Sequence, residues 1–437
     1  MNEKNIIKEN FSAMGEWWLP THPEQKNVGE ISVGTNNDIR LKTYHDFSDD
    51  DDFILMGITT ESKGVVEVLR GKLRNGSEIM LFNCIVCGGG LIRADIMLYS
   101  RALPPFRSMD DFHFSSMKIY YDQLANWTPR ALGLTISDDD NRTFKLNARQ
   151  MYEYQVNDFK LKLNFSWLFE NTTSNMTTKE FVQFAFENSK SYEETQKLSM
   201  IFADFLLLCL DTDIRLNSSF LEVEHGDKKY NIQIISRQRA NRNSRQPKKF
   251  HVLEFGDLIT DFEKCINNWY ALNLDEGTRD AINIYTESID SNTVIEITFL
   301  VLIQACEGSL KRIESEENKK STLVGLLNNL FSKVAPYLPS FMETETNNHL
   351  VKKINRTRMY WIHNSGKIKK EDIFHRELYE INLLLSYALR VYLLQQIGVE
   401  HATIENALSV ENVIGKFAID EIKALYDNLK KENENGQ

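Results

Sequence analysis

The chain has 437 residues, more than one ordinary single-core domain accommodates, so two or three domains are expected. Hydrophobic residues make up 42% and charged residues 26%, ordinary globular values, while the formal net charge of -11 excludes a protein that coats nucleic acid by bulk positive charge. Any RNA contact has to be local.

At the start of the chain Lys4 and Lys8 alternate with Glu3 and Glu9, without the apolar stretch of a signal peptide. The longest apolar runs, around 202–210 and 299–306, fall well short of the ~20 residues that span a bilayer. A cytoplasmic protein with no membrane contact is the expectation. The five cysteines (Cys84, Cys87, Cys209, Cys265, Cys306) are scattered and odd in number, which fits reduced thiols better than a disulfide framework.

From Gly15 to about residue 165 the segments are short and rich in Val, Ile, Tyr and Phe. Turn signals separate them: Asn36-Asn37-Asp38, Arg74-Asn75-Gly76-Ser77 and Asp138-Asp139-Asp140-Asn141. Residues 31–33, 39–44, 53–58, 65–69, 79–86 and 92–100 read as strands of an antiparallel sandwich or barrel. The acidic runs Asp49-Asp50-Asp51-Asp52 and 138–140 read as solvated turns, because contiguous aspartates do not easily converge on one cation. Cys84-Ile85-Val86-Cys87 has half the spacing of a zinc site, but no second Cys/His pair follows at a suitable distance, so the pair reads as structural and no metal or other cofactor is expected.

A mixed region follows. Residues 191–210 carry a helical apolar pattern, and strand-like stretches cover 220–223 and 230–236. Arg237, Arg239, Arg242, Arg245, Lys248 and Lys249 then crowd a polar loop around Pro247. One reading makes this loop an arm that contacts RNA phosphates without reading sequence. The other makes it a solvated hairpin loop.

From Asp257 onward the pattern is helical. Asp257 is placed to cap a helix over 258–272; others are expected over 278–288, from Ser291-Asn292-Thr293 through Leu310, over 323–334, and from near Glu343 to Gly366. A helix of more than twenty residues is expected over 371–397, apolar around much of its circumference and so central to a bundle or a subunit interface. The overall expectation is an α+β multidomain protein with divisions at 1–165 (β-rich), 166–255 (mixed α/β extension with the basic loop) and 256–437 (all-α).

The helix ending near Gly366 carries Arg356-Thr357-Arg358-Met359-Tyr360-Trp361-Ile362-His363. An imidazole and a guanidinium are two groups with which RNA can be cleaved without a metal: histidine, with an ordinary pKa of ~6.5, exchanges protons near neutrality, and arginine grips two phosphate oxygens. At ~100° per residue, Arg358 and His363 are about 140° apart in a regular helix, whereas Arg356 lies almost on the face of His363. Lys352 and Lys353, one turn earlier, are placed to hold an RNA backbone.

A long helix with this R-x4-6-H motif, a polar connection and a long apolar helix ending at Ile397-Gly398 together resemble the HEPN superfamily. Gly15-Glu16-Trp17-Trp18-Leu19-Pro20, Val28-Gly29-Glu30-Ile31 and Ile54-Leu55-Met56-Gly57-Ile58-Thr59 resemble the N-terminal domain of ApeA-type anti-phage proteins. The resemblance implies an all-α HEPN domain over 256–437 behind an ApeA-type β domain. It implies a homodimer or higher homo-oligomer whose paired motifs form one composite, metal-independent endoribonuclease site, and an abortive-infection role in which RNA damage sacrifices the infected cell. By the family register the motif arginine is Arg358 and the histidine His363, with Arg356 a close second. RNA, with transfer RNA a candidate, and a phage-derived activator are the partners it implies.

Two other readings stand beside it. Met359 occupies a position where the family often has a small polar residue, which suits a HEPN scaffold without activity. Trp17-Trp18 on a β-sandwich suits a ligand-binding module whose helices only oligomerise, against the plainer reading of core tryptophans.

Overall fold

Alternation governs the first half of the protein. In β3 (Ile39–Thr43) Ile39, Leu41 and Thr43 are buried while Arg40 and Lys42 face out, the period-two pattern of a strand covered on one side. The structure, a computed structural model, describes residues 7, 10–44, 65–128, 132–136, 142–146, 150–170, 175–212, 214, 216–237, 253–290, 294–313, 321–342, 344–363 and 373–435. The expected strand 53–58, both aspartate runs, most of the basic loop and Gly366 lie outside them.

The chain divides into two units. The first comprises Met1–Asp122, Ala131–Met200 and Arg215–Asn241. Its strands β1 (Phe11–Trp18), β2 (Asn27–Val33), β3, β4 (Val65–Leu73), β5 (Glu78–Gly88) and β6 (Leu91–Ala94) are all antiparallel. Because β6 pairs with both β3 and β5, the order β5-β4-β1-β2-β3-β6 closes on itself into a six-stranded barrel. Of the two expected architectures, the barrel is the one realised. Closure removes the free edges that an open sheet exposes.

The expected strand 92–100 breaks at Asp95 into β6 and β7 (Ile96–Ser100). The break has a topological cause: β6 completes the barrel on the C-terminal half of β5, whereas β7 pairs with its N-terminal half, Ile79 opposite Tyr99. From β7 the sheet continues through β15 (Lys228–Ser236), β14 (Leu216–His225), β8 (Phe114–Tyr121), β13 (Asn175–Lys190), β12 (Phe159–Glu170) and β11 (Gln150–Val156). A separate hairpin joins β9 (Leu132–Ile136) to β10 (Arg142–Leu146). Between β4 and β5 the Arg74-Asn75-Gly76-Ser77 turn forms as expected, with Gly76 at φ 84° and the Ser77 N–H donating to Asn75 Oδ1 at 3.0 Å.

Trp17 fills the barrel. It is fully buried, its indole N–H donates to the Gly29 carbonyl at 3.1 Å, and its ring lies over Gly71, the residue opposite it on β4. A Cβ on Gly71 would stand 2.3 Å from that ring, so the strands approach at this point only because β4 carries no side chain there. This is a core tryptophan, and Trp18, under the ammonium of Lys26, is its half-buried neighbour. Cys84 is buried in the same core while Cys87 is exposed, so the two thiols do not converge. Burial pushes the Cys84 thiol up to about 12, which leaves it a small apolar side chain.

The second unit comprises Gln123–Arg130, Ile201–Ile214 and Arg242–Gln437. The short helix α1 (Leu124–Trp127) supplies Trp127, whose ring is surrounded by Phe202 and Phe205 of α2 (Tyr192–Leu210), by Phe255 of α3 (Phe255–Leu258) and by Phe262 of α4 (Phe262–Leu274). The helix expected over 258–272 therefore starts later. Asp257 closes the α3 turn, its Oδ2 accepting the Glu254 N–H at 2.8 Å, and Asp261 precedes α4.

The bundle continues with α5 (Glu276–Asp290), α6 (Ile295–Ile313), α7 (Leu323–Val334), α8 (Thr344–His363) and α9 (Leu378–Gln396). Then come α10 (His401–Ala407), α11 (Val410–Ile414) and α12 (Lys416–Asn435). The long apolar helix was expected from residue 371, but 373–377 form a turn and α9 begins at Leu378. It is central as expected: thirteen of its nineteen residues are buried, Arg390 among them. None of the described helices is long and apolar enough to cross a membrane.

Candidate functional site

Helix α8 carries the motif and is amphipathic in an unequal way. Leu350, Val351, Ile354 and Thr357 are buried, while Asn348, Lys352, Arg356, Met359 and His363 are exposed at intervals of four, four, three and four residues. Those intervals keep one stripe of an α-helix facing solvent. Lys352, Arg356 and His363 thus share a face, as the helical geometry in the sequence requires for Arg356.

Arg358 stands to one side of that stripe. Its guanidinium reaches α6, where Nη2 lies 3.5 Å from Glu307 Oε2, and both side chains are about a quarter to a third exposed. Glu307 also accepts from Lys311 at 2.7 Å, so one carboxylate serves two cations. A pair this long and this accessible is worth little in stability and is open to competition from another anion. Lys353 differs from Lys352: it is half-buried, with its ammonium 5.1 Å from the centre of the Phe374 ring.

The motif helix is fastened by a residue the motif does not include. Thr357 is fully buried; its hydroxyl donates to the Lys353 carbonyl at 2.8 Å and accepts the Phe374 N–H at 3.0 Å, pinning the chain before α9 against the middle of the arginine-histidine segment. Nearby, His375 meets the rings of Tyr360 and Trp361 edge-on, with centroids 6.0 and 5.9 Å away. The sequence reading missed Thr357, Glu307 and His375. The only signal available for the last was a histidine just ahead of the apolar helix; Glu307 belongs to a different helix and carries no local mark.

Of the basic loop, Arg237 lies within the described residues and Arg239, Arg242 and Arg245 lie outside them. Arg237 follows β15 in the first unit, and its guanidinium is 3.9 Å from Asp95. Among the described residues no group of three His, Cys, Asp or Glu side chains is arranged to hold a metal ion.

Comparison with known families adds two matches. Residues 12–269 match the ApeA N-terminal domain 1, and that match spans more than half of the chain. The chain belongs to the ApeA family. Residues 281–403 match the ApeA-like HEPN domain, a segment that runs from α5 to α10 and contains Glu307, Arg356, Arg358 and His363. The ApeA protein therefore pairs a β-rich N-terminal region with a helical HEPN domain, the arrangement of an anti-phage HEPN protein. No curated protein and no solved structure matches it.

Proposed function

We propose that this ApeA protein is a metal-independent endoribonuclease acting in abortive infection. His363 transfers protons, Arg358 stabilises the reacting phosphate, and Arg356 with Lys352 holds the RNA backbone. The observation that supports the reading most is the exposed stripe of Lys352, Arg356 and His363 on one helix of the HEPN match, with the partly exposed Arg358 on the same helix.

Cleavage at a 2′-hydroxyl needs a base to take its proton, a cation for the crowded phosphorane and an acid for the departing 5′-oxygen. The 2′-oxygen bonds to phosphorus as the bond to the 5′-oxygen breaks, leaving a cyclic phosphate and a 5′-hydroxyl. One imidazole cannot be base and acid in the same turnover unless it carries the proton across, so two chains with facing α8 helices divide the roles between paired His363 residues. Arg358 exchanges Glu307 for a phosphate, which a guanidinium binds in bidentate fashion. A cell carrying such an enzyme has to restrain it until infection, and a phage-derived activator is the trigger this reading calls for. A HEPN scaffold without activity is the second reading, favoured by the Arg358 contact to Glu307, which gives that arginine a structural partner.

Bacteria carrying the wild-type gene or His363→Ala, challenged with phage, test the proposal. RNA fragmentation after infection in wild-type cells alone is expected; intact RNA in wild-type cells that resist the phage overturns it.

A further inference from the structure

The barrel carries a cleft that nothing in the HEPN chemistry uses. It has a volume of about 690 Å³ and lies where β2 turns into β3, within the first unit. Its lining brings together Arg40 of β3, Arg93 of β6 and Arg237 beyond β15, against one carboxylate, that of Asp38. Three guanidiniums and one carboxylate leave the lining at about +2 in a chain whose formal net charge is -11. Solvated arginines on an acidic protein gain nothing by gathering, and like charges in a concave wall repel, so a concentration of this kind favours an anion.

The arginines are held in place. Asp38 accepts from Arg40 Nε at 2.6 Å and from Arg93 Nη2 at 3.0 Å, orienting both planar groups from one point. Partial burial works against ionisation of Asp38, but the hydrogen bonds from Arg93 and Arg40 outweigh it and hold its carboxyl below the usual carboxylate range. Arg93 keeps its buried Nε without a hydrogen-bond partner among the described residues, so this guanidinium is not saturated by its own fold. Among the described residues the Arg237 guanidinium has the 3.9 Å approach to Asp95 as its ion pair. The turn forming the wall is fixed too: Asn36 and Asn37 adopt φ of 57° and 54°, and the Asn37 amide donates to the Ser236 carbonyl at 3.0 Å.

We propose that this cleft binds a phosphate ester of nucleotide size, the phosphate on Arg40, Arg93 and Arg237 and the remainder along Phe11 and Val33. Its volume exceeds what a bare phosphate needs and falls within the range of small-molecule sites. Planar guanidiniums converging from different strands match phosphate oxygens in bidentate fashion. The ligand comes either as a free nucleotide or as the terminal phosphate of a nucleic acid. A carboxylate-rich peptide is the competing class, disfavoured because each carboxylate brings two oxygens and one charge, whereas a phosphate monoester brings three oxygens and close to two charges to one point.

Binding is measured on the full chain carrying His363→Ala, so that nucleic-acid probes are not cut and failure of the ribonuclease reading does not touch the result. Adenosine monophosphate, a 5′-phosphorylated oligonucleotide, its 5′-hydroxyl counterpart and an oligoglutamate peptide are titrated by calorimetry. Saturable binding of a phosphorylated probe is expected, weakened at least tenfold by Arg237→Ala and by Arg93→Gln. Arg237→Ala, which among the described residues gives up a 3.9 Å approach to Asp95, keeps the wild-type melting temperature. Preference between the first two probes identifies the source. No saturable binding of either phosphorylated probe, equal affinity for the 5′-hydroxyl oligonucleotide, tighter binding of oligoglutamate, or affinity unchanged by both substitutions overturns the proposal.

Discussion

Arg358 of α8 and Glu307 of α6 stand 3.5 Å apart, and this contact ties the motif arginine to α6, about 140° around α8 from the His363 of the exposed stripe. The two arginines of the motif are therefore not equivalent, and their variants separate. Arg358→Ala lowers kcat for RNA cleavage on the order of 100-fold or more, because a transition-state contact is lost. Arg356→Ala raises KM several-fold at nearly constant kcat, as expected for a backbone contact made equally before and during the reaction. Steady-state kinetics on a short labelled RNA reads both; the reverse pattern reassigns the motif arginine to Arg356.

Removing the acid tests the same contact from the other side. Glu307→Gln keeps the shape of the side chain and deletes the charge that competes with phosphate for Arg358. Cleavage is expected to be retained or raised several-fold, with a stability change under about 1 kcal/mol, the scale of a partly exposed ion pair. Loss of activity without loss of folding argues that Glu307 holds Arg358 in its working position.

Gly71→Ala places a methyl 2.3 Å from the Trp17 ring in the barrel core, against a side chain that also donates to Gly29. Overpacking at a fully buried tryptophan costs about 2–3 kcal/mol. Urea unfolding of the two proteins measures it; wild-type stability would mean that the barrel yields at β1 and β4.

Arg390 is 2% exposed in the middle of α9 and caps the end of α2, its Nε donating to the Leu208 carbonyl and its Nη2 to the Cys209 carbonyl, both at 2.7 Å. Arg390→Leu supplies volume but takes the guanidinium donor from the buried Leu208 carbonyl and leaves the Cys209 carbonyl to the Leu253 N–H at 3.0 Å. About 3 kcal/mol of stability is expected to go, read as a lower urea midpoint of the helical unit.

Asp204 of α2 has its carboxyl pushed up to about 7 by burial, against the opposing effects of Arg279 and the Thr286 hydroxyl. A carboxyl whose folded pKa lies above its unfolded value near 3.8 favours folding while the folded form keeps the proton, and that advantage is lost as pH rises toward 7. Asp204→Asn lacks this titration. The stability of the variant relative to wild type should grow by about 2 kcal/mol between pH 5 and pH 8, measured by chemical denaturation at each pH. A difference that stays constant across this range means that the carboxyl is not protonated in the fold.

Local rules made much of this architecture legible. The alternation of Ile39, Leu41 and Thr43, the turn at Gly76 and the apolar circumference of α9 are each written within a few residues, and so is the stripe of Arg356 and His363. Barrel closure is not written locally, because it depends on β5 pairing with β6 along one half and with β7 along the other, and Asp95 follows the equally polar Arg93 in a run that reads as one strand. The late start of α9 has a similar cause: 373–377 lack a strong breaker, and the turn there is set by Thr357 holding Phe374. Glu307, Arg40 and Arg93 were invisible for the same reason, and Arg237, legible as part of the basic loop, meets Arg40 and Arg93 only through the fold.

The central claim is that His363 performs metal-independent RNA cleavage. The most direct measurement incubates the purified wild-type chain and His363→Ala with total RNA in EDTA, with lysate from infected cells as the source of activator, and analyses the new RNA ends. The account predicts cleavage by wild type that EDTA does not stop, fragments ending in a cyclic phosphate, and loss on the order of 100-fold or more in His363→Ala. Cleavage abolished by EDTA, or undiminished in His363→Ala, contradicts it.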